Sequence, residues 1–189
     1  MLGPKKTAAA DYIEESYPLS PMQQGMFFHG LSAPHSGVDI EQIICTLPEE
    51  IHFAAFREAW DRASRRHAIL RTGFNGAGLL PRQEVHRNVR LHCEQKDWRG
   101  LTEREQQTRL DVYLQAERRR GFELNIPPLM RLALFCVRPA KYVLALTFHH
   151  LLLDGRAVVA LLNEVFNLYE ALCQGHELGL PAPRPYRDY

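Results

Sequence analysis

Two adjacent histidines and an aspartate four residues further on are the side chains best suited to chemistry in this sequence. They lie in the run His149-His150-Leu151-Leu152-Leu153-Asp154-Gly155. An imidazole accepts or donates a proton near neutral pH, so either histidine suits proton transfer or hydrogen bonding to a reacting group. Adjacent histidines without a third ligand nearby make a poor metal site, because coordination needs convergent ligands. The spacing therefore favours acid–base or positioning chemistry and predicts no bound metal.

The histidines follow two apolar runs that are typical of buried strands. Residues 129–137 and 142–148 are apolar, and the turn-like segment 138–141 separates them. Side chains alternate between the two faces of a strand, so His149 and His150 are expected to point to opposite sides. One histidine would then be structural, and the other would be available for chemistry.

Asp154 and Gly155 come just before a segment with helical spacing of apolar residues, 157–173. An aspartate in this position can cap the helix by accepting a hydrogen bond from an early backbone N–H. The glycine can take a positive φ and so tighten the turn. The sequence therefore predicts a loop that is held between a strand and a helix.

Other helix starts and strands are visible along the chain. Ser20 and Gln23 predict a capping box at the start of one helix, and Thr102 and Glu105 predict a second at the start of a helix over residues 103–120. The short apolar run 69–74 predicts a strand. Gln23 serves equally well as a cap or as a contact to substrate, and the sequence leaves these two roles open.

Three motifs resemble those of the condensation domains of nonribosomal peptide synthetases, a branch of the chloramphenicol-acetyltransferase-like acyltransferases. The run 149–155 is similar to the family's His-His-x-x-x-Asp-Gly signature. Residues 17–29, Tyr-Pro-Leu-Ser-Pro-Met-Gln-Gln-Gly-Met-Phe-Phe-His, are similar to its opening motif. Residues 66–74, Arg-His-Ala-Ile-Leu-Arg-Thr-Gly-Phe, are similar to its second motif. Three motifs in the family's order are hard to obtain by chance.

The resemblance extends from about Tyr17 to Tyr189 and implies the fold class. We expect an α/β protein, a chloramphenicol-acetyltransferase-like layer sandwich in which helices pack on a mixed sheet. The interleaving of predicted strands and helices also indicates α/β layers. Complete condensation domains have two similar lobes, and this chain resembles the first. The expected organisation is a flexible leader over residues 1–16 and an N-terminal lobe over residues 17–189, with the C-terminal lobe absent.

The resemblance implies that the protein forms amide bonds between two substrates held on carrier proteins. In the family, the second histidine of the motif, here His150, lies beside the thioester carbonyl of an acyl or peptidyl group on 4'-phosphopantetheine, and an amine on a second carrier attacks. His149, Asp154 and Gly155 complete the site by analogy, with the Gly155 amide as an oxyanion donor. No cofactor binds directly. The implied partners are donor and acceptor peptidyl carrier proteins and the C-terminal lobe.

The same resemblance assigns Asp154 a structural ion pair with an arginine, and Arg66 and Arg71 are the candidates. Judged from the residues alone, Arg66 belongs to a cluster of cations that suits a helix C-terminus. Arg71 lies between apolar neighbours and therefore needs a carboxylate partner.

Two departures from the family pattern bear on activity. Ala68 stands where the family has glutamate, and Arg156-Ala157 stands where many members have Trp-Ser. The second change favours either altered substrate choice or a non-catalytic module. Two alternatives also stay open. One is an ester-forming acyltransferase with the same motif, and the other is a docking platform for carrier or tailoring proteins, which the missing lobe makes credible. The lobe on its own is expected to be weakly active or inactive.

Composition excludes several classes of protein. The chain has 189 residues and is 46% hydrophobic, enough for one domain with its own core. With a formal net charge of +1, the chain lacks the excess of positive charge that promotes binding to nucleic acid or to an anionic membrane. The four cysteines show no Cys-x-x-Cys spacing, and no segment has the pattern of a signal peptide or a membrane span. We expect reduced thiols, a cytoplasmic location, and self-association if an apolar face is left uncovered.

Overall fold

The computed structural model describes residues 12–32 and 36–188. In this part of the chain the helices are α1 (Pro21–Ser32), α2 (Phe53–Arg66), α3 (Glu103–Arg120) and α4 (Gly155–Cys173). The strands are β1 (Ile13–Pro18), β2 (Ile40–Leu47), β3 (Thr72–Asn75), β4 (Arg82–His86), β5 (His92–Asp97), β6 (Met130–Arg138) and β7 (Lys141–His149). Short 3-10 helices span Ala68–Arg71 and Tyr186–Asp188.

A four-stranded mixed sheet in the order β2-β7-β6-β5 forms the centre of the molecule. Strands β5 and β6 run parallel, and the other two pairs are antiparallel. Strands β6 and β7 are buried along almost their whole length. Helices cover both faces of these strands, which explains why both appear in the sequence as continuous apolar runs instead of alternating ones.

The two faces of the sheet have different cores. On one face, Leu132 and Leu144 pack with Trp60 of α2 and Val165 of α4 in a large buried cluster. On the other face, Phe135 packs beneath α3, with the ring of Trp98 stacked at 4.0 Å and the ring of Tyr113 edge-on at 5.1 Å between centroids. The result is an α/β sandwich with helices on both sides of a mixed sheet, as predicted.

Strands β1, β4 and β3 form a second, antiparallel sheet. The predicted strand over residues 69–74 includes most of β3, whereas β1 was not predicted. Because β1 begins at Ile13, the predicted flexible leader is wrong for residues 13–16. The strand alternates half-buried and exposed positions, and its partner β4 lies far along the chain. The sequence of this segment alone therefore gives only a weak indication of a strand. Residues 1–11 of the predicted leader lie outside the described residues.

Both predicted capping boxes are present. The Ser20 N–H donates to Gln23 Oε1 at 3.0 Å, and the Gln23 N–H donates to Ser20 Oγ at 3.3 Å. The same reciprocal pair joins Thr102 and Glu105 at the start of α3. The predicted strand over residues 69–74 is wrong in its first half, where the chain forms a 3-10 helix through Arg71.

A buried ion pair fixes the C-terminal end of α3 to the central sheet. The Arg131 guanidinium donates to the Glu117 carboxylate and, at 3.0 Å, to the Gly121 carbonyl. It also lies 3.9 Å from the centroid of the Phe122 ring. Both charged side chains are about nine-tenths buried, so Arg131 depends on Glu117 for its charge balance. Glu117 also lies 3.6 Å from Arg120.

The four cysteines are free, and Cys173 is exposed on α4. Among residues 12–32 and 36–188, no helix is long and apolar enough to cross a membrane.

Candidate active site

The motif loop connects β7 to α4, and backbone hydrogen bonds hold it on two sides. The His149 N–H donates to the Leu129 carbonyl at 3.0 Å, just before β6. The His150 N–H donates to the Asp39 carbonyl at 2.8 Å, just before β2. The strands flanking β7 therefore determine where the two histidines lie.

His149 is buried and neutral. The residue is only 5% exposed, and its Nδ1 accepts a hydrogen bond from the Leu151 N–H at 3.2 Å. Burial disfavours the charged imidazolium and is the main reason that the pKa of His149 falls to about 4; the Asp39 carboxylate opposes this shift, and His150 adds to it. At neutral pH the ring therefore carries its single proton on Nε2.

His150 is half-buried, and its ring is in the opposite tautomer to that of His149. Its Nδ1 lies 3.0 Å from the Leu153 carbonyl oxygen. A carbonyl only accepts, so Nδ1 carries the proton in this contact, and the lone pair of the neutral ring is on Nε2. None of the described residues hydrogen-bonds to that Nε2. His150 is thus oriented to accept a hydrogen bond or a proton from an incoming group.

Asp154 caps helix α4. Its Oδ1 accepts a hydrogen bond from the Ala157 N–H at 2.7 Å, and the residue is exposed. Gly155 is the first residue of the helix and is not among the glycines with positive φ, so the predicted tightening of the turn by a positive φ is wrong. A Cβ added at Gly155 would meet no other atom within 4 Å. Open space therefore lies in front of this part of the loop.

The predicted ion pair between Asp154 and Arg66 or Arg71 is also wrong in this structure. Arg66 Nε lies 2.9 Å from Glu164 of α4. Arg71 Nη1 lies 2.8 Å from Glu14 of β1. Each arginine already has a carboxylate partner from another segment of the chain.

Arg71 acts instead as a buried link between segments. Its Nε donates to the Ser64 carbonyl at 3.0 Å, and its Nη1 donates to the His86 carbonyl at 2.5 Å as well as to Glu14. The expectation that Arg71 needs a carboxylate is confirmed. Its contacts join the end of α2 to strands β1 and β4, away from Asp154.

Because the Asp154 carboxylate forms only a helix cap, its removal is expected to reduce the stability of the fold modestly. We expect Asp154→Ala to lower the free energy of unfolding by about 1 kcal/mol, the usual cost of losing an N-cap, and Asp154→Ser to retain most of it. Urea denaturation of the two variants measures the difference. A loss of about 3 kcal/mol or more would instead indicate a buried ion pair.

Gln23 connects the opening motif to the histidine loop, a role that the sequence did not predict. It is buried, and its Nε2 lies 3.4 Å from the Leu151 carbonyl and 3.4 Å from Gln83 Oε1. Gln83 Nε2 in turn donates to the Pro18 carbonyl at 3.1 Å. Because its hydrogen-bonding groups also form the capping box of α1, Gln23 both starts that helix and supports the loop.

A cavity of about 470 Å³ adjoins His149, and we call it the His149 cavity. Its walls come from α1, the segment before β2, the end of β3, the segment after α3 and the end of β7. Representative residues from these five parts are Phe27, Asp39, Phe74, Phe122 and His149. His150 is not among the lining residues, as expected if the two histidines point to opposite sides.

Comparison with known proteins identifies the family. The model of the condensation domain matches residues 13–189. The chain belongs to the condensation-domain family.

Its relatives are nonribosomal peptide synthetases. One of the proteins that make up the linear gramicidin synthase of Brevibacillus parabrevis is 40% identical over 178 residues, which cover 94% of this chain and 3% of that protein. Bacitracin synthase 1 of Bacillus licheniformis is 33% identical over 186 residues, which cover 98% of this chain and 4% of that protein. The chain thus spans only a few per cent of the length of these relatives.

Solved structures confirm the fold. The starter condensation domain of rhizomide synthetase has a TM-score of 0.83 to this chain at 21% sequence identity, over 93% of this chain and 44% of that one. A four-domain nonribosomal peptide synthetase bound to AMP and glycine has a TM-score of 0.72 at 18% identity, over 83% of this chain and 12% of that one. The family and the fold class that the three motifs predicted are both confirmed.

Proposed function

We propose that residues 13–189 form the N-terminal lobe of a condensation domain that makes peptide bonds in nonribosomal peptide synthesis. The substrates are an acyl or peptidyl thioester on one carrier protein and an aminoacyl group on a second, each on 4'-phosphopantetheine. Membership of the family supports the reaction. The match to less than half of a solved condensation domain supports a single lobe, with the C-terminal lobe and the two carriers as partners in the cytoplasm.

The observation that carries this proposal is the orientation of His150. Its Nδ1 is occupied by the Leu153 carbonyl, which leaves the Nε2 lone pair available. The acceptor amine donates a hydrogen bond to Nε2 and is held against the donor thioester. As the new C–N bond forms, the amine becomes acidic and its proton passes to Nε2. As the C–S bond breaks, the pantetheine thiolate leaves and takes that proton from Nε2, which returns the ring to its neutral form. Positioning and proton transfer together lower the barrier.

The start of α4 supplies the second part of the proposed site. The Gly155 N–H belongs to the first turn of the helix, where backbone donors have no partner within the helix. Such donors stabilise negative charge on an oxygen. In the proposed reaction this turn faces the carbonyl oxygen of the thioester as charge develops on it. Asp154 keeps the turn in place, and buried His149 holds the loop.

The test is an intact-mass assay for amide formation between an acyl-loaded and an aminoacyl-loaded carrier. The chain is assayed alone and with the C-terminal lobe of a family member supplied in trans. His150→Asn keeps a donor for the Leu153 carbonyl but removes Nε2, and we expect a rate at least about 100-fold lower. His176→Asn, a change at an exposed histidine elsewhere, is the control and should retain the wild-type rate.

Two other outcomes would point to different functions. Product at equal rates from the wild type and His150→Asn would contradict the role of His150. No product in any mixture, with carrier binding retained, would favour the docking platform. The exposed Arg156 at the loop is the observation that supports this alternative. Product with a hydroxyacyl acceptor alone would favour the ester-forming alternative.

A further inference from the structure

We propose that Gln23 is a positioning residue for His150, and that Gln83 fixes the Gln23 amide in the orientation that this role requires. The inference rests on the function proposed above and extends it to two side chains outside the histidine motif. Both glutamines are buried, so they act on the main chain of the loop and not on the substrates.

His150 lies at the corner of a tight turn that follows β7. The Leu152 N–H donates to the His149 carbonyl at 3.0 Å, which makes His150 and Leu151 the two central residues of the turn. The His149 ring accepts the Leu151 N–H at 3.2 Å. The carbonyl of the same Leu151 lies 3.4 Å from Gln23 Nε2. Two buried side chains from different elements therefore hold the residue that directly follows His150.

The orientation of the His150 ring depends on this turn. The ring is held through Nδ1 by the Leu153 carbonyl at 3.0 Å, two residues beyond Leu151. If the Leu151 carbonyl loses its donor and the peptide rotates, the chain between the two contacts changes course and the Leu153 carbonyl moves away from Nδ1. The proton of the neutral ring can then move to Nε2, which removes the lone pair that would accept the amine proton. A displacement of about 1 Å near reacting groups can lower a rate by about 100-fold.

The two glutamine amides fix each other. Gln83 Nε2 donates to Gln23 Oε1 at 3.1 Å, and Gln23 Nε2 lies 3.4 Å from Gln83 Oε1. Gln83 Nε2 also donates to the Pro18 carbonyl at 3.1 Å, and Gln23 Oε1 also accepts the Ser20 N–H at 3.0 Å. An exchange of oxygen and nitrogen in the Gln23 amide would place its oxygen against the Leu151 carbonyl. The network therefore permits one orientation of this amide, the one that donates to the loop.

Burial argues that this pair serves geometry more than stability. Gln83 is 1% exposed and Gln23 is 5% exposed. Replacing both members of a buried hydrogen-bonded pair by apolar groups of similar shape can be nearly neutral for stability. An apolar pair cannot supply a directed donor to the Leu151 carbonyl. The distinctive contribution of the pair is therefore the orientation of the turn, which points to an effect on rate.

The neighbouring glutamine of α1 provides a matched control. Gln24 Nε2 donates to the Leu19 carbonyl at 3.1 Å, within its own segment of the chain. Gln23→Met and Gln24→Met remove the same group from adjacent residues, but only the first removes a donor from the histidine loop. Ser20→Ala is a second control, because it weakens the capping box of α1 and leaves the Gln23 amide in place.

The first readout is the tautomer of the His150 ring in the whole chain without substrate. It is measured by proton–nitrogen correlation NMR on histidine-labelled protein at about pH 8, where imidazoles are neutral. The chain has nine histidines, and the His150 signal is the one missing from His150→Asn. We expect the proton mainly on Nδ1 in the wild type and both controls, and Gln23→Met should lose this majority. A wild-type tautomer in Gln23→Met, or the same loss in either control, would overturn the proposal.

The second readout is the rate of amide formation in the assay with both lobes. Gln23→Met should lower kcat at least about tenfold with the KM for each loaded carrier unchanged, and the two controls should keep the wild-type kcat. In the His150→Asn background the same change should lower the residual rate less than about twofold, because a positioning residue acts through the ring that is now missing. An unchanged kcat in Gln23→Met, or an equal fold-change in both backgrounds, would count against the positioning role.

A second variant covers the case in which Gln23→Met does not fold, as judged by its unfolding midpoint against Gln24→Met. Gln83→Met then takes its place, because it removes the partner that fixes the Gln23 amide and leaves the capping box intact. The Nδ1 majority of His150 should be lost in this variant as well. Its retention in Gln83→Met would overturn the proposal.

The positioning role and the proposed function can fail separately, because the tautomer is read without any reaction. No amide formation in any mixture, together with a lost Nδ1 majority in Gln23→Met, would contradict the function and support the positioning role. Amide formation that requires His150 but is unchanged in Gln23→Met would support the function and overturn the positioning role.

Discussion

Glu117→Ala is expected to lower the free energy of unfolding by about 3–5 kcal/mol, the cost of breaking a buried ion pair by removing one partner. The glutamate on α3 is the only carboxylate among the described residues that pairs with Arg131 of β6, and both side chains are about nine-tenths buried. After the change, the guanidinium stays in the interior with carbonyl oxygens as its remaining acceptors. Its uncompensated charge destabilises the folded state, which urea denaturation at pH 7 measures.

The matched control is Glu103→Ala, also on α3. Glu103 pairs with Arg138, but both side chains are more than half exposed, so water replaces the lost partner. We expect a change below about 1 kcal/mol. A loss at Glu117 as small as that at Glu103 would contradict the prediction and would mean that Arg131 reaches solvent. Replacing both members, as Glu117→Leu with Arg131→Met, should recover much of the loss, because no buried charge remains.

Acidification is expected to destabilise the fold through His149. The pKa of this ring is about 4 in the folded chain against 6.5 as its ordinary value. Between these two values the unfolded chain binds more protons than the folded one, so stability rises with pH across this window. The contribution is complete above about pH 6.5 and is lost as the pH falls toward 4. Its full size is about 3 kcal/mol.

His149→Asn isolates this effect, because the asparagine oxygen can replace Nδ1 as acceptor for the Leu151 N–H but does not titrate. Between pH 7.5 and pH 4.5 we expect the wild type to lose about 2–3 kcal/mol more stability than the variant. Urea denaturation at the two pH values provides both numbers. The exposed His176→Asn should keep the wild-type slope. Parallel pH profiles for wild type and His149→Asn would show that His149 is hydrated or paired when protonated.

The parts of the fold that depend on local pattern were predictable. Ser20 and Gln23 determined the start of α1, and the Thr102 and Glu105 pair determined the start of α3, because the residues that form each cap are close in sequence. Strands β6 and β7 were predictable because both of their faces are buried, which requires continuous apolar runs.

The parts that depend on distant partners were not predictable. Strand β1 forms by pairing with β4, and Arg71 pairs with Glu14 of β1. Because these partners are distant in sequence, no local pattern predicts either feature. The ambiguous apolar run after α2 forms a 3-10 helix before it becomes a strand. At the candidate site, the alternation of side chains along a strand predicted that the two histidines differ, and the structure confirms this difference in surroundings. The walls of the His149 cavity come from five separate segments, so only the folded chain shows it.

The end of β7 has a consequence for how this sequence tolerates length changes. His149 and His150 are chemically identical, and only their place along the strand makes one buried and the other available. His149 lies opposite Ile40, and the hairpin from β6 to β7 closes at Arg138 and Lys141. A shift of β7 by one residue would move His149 into the surroundings of His150 in one direction, and His150 into the surroundings of His149 in the other. Surface hairpins usually accept single insertions and deletions, but in this one such a change would put His149 or Leu151 in the position proposed for the chemistry of His150.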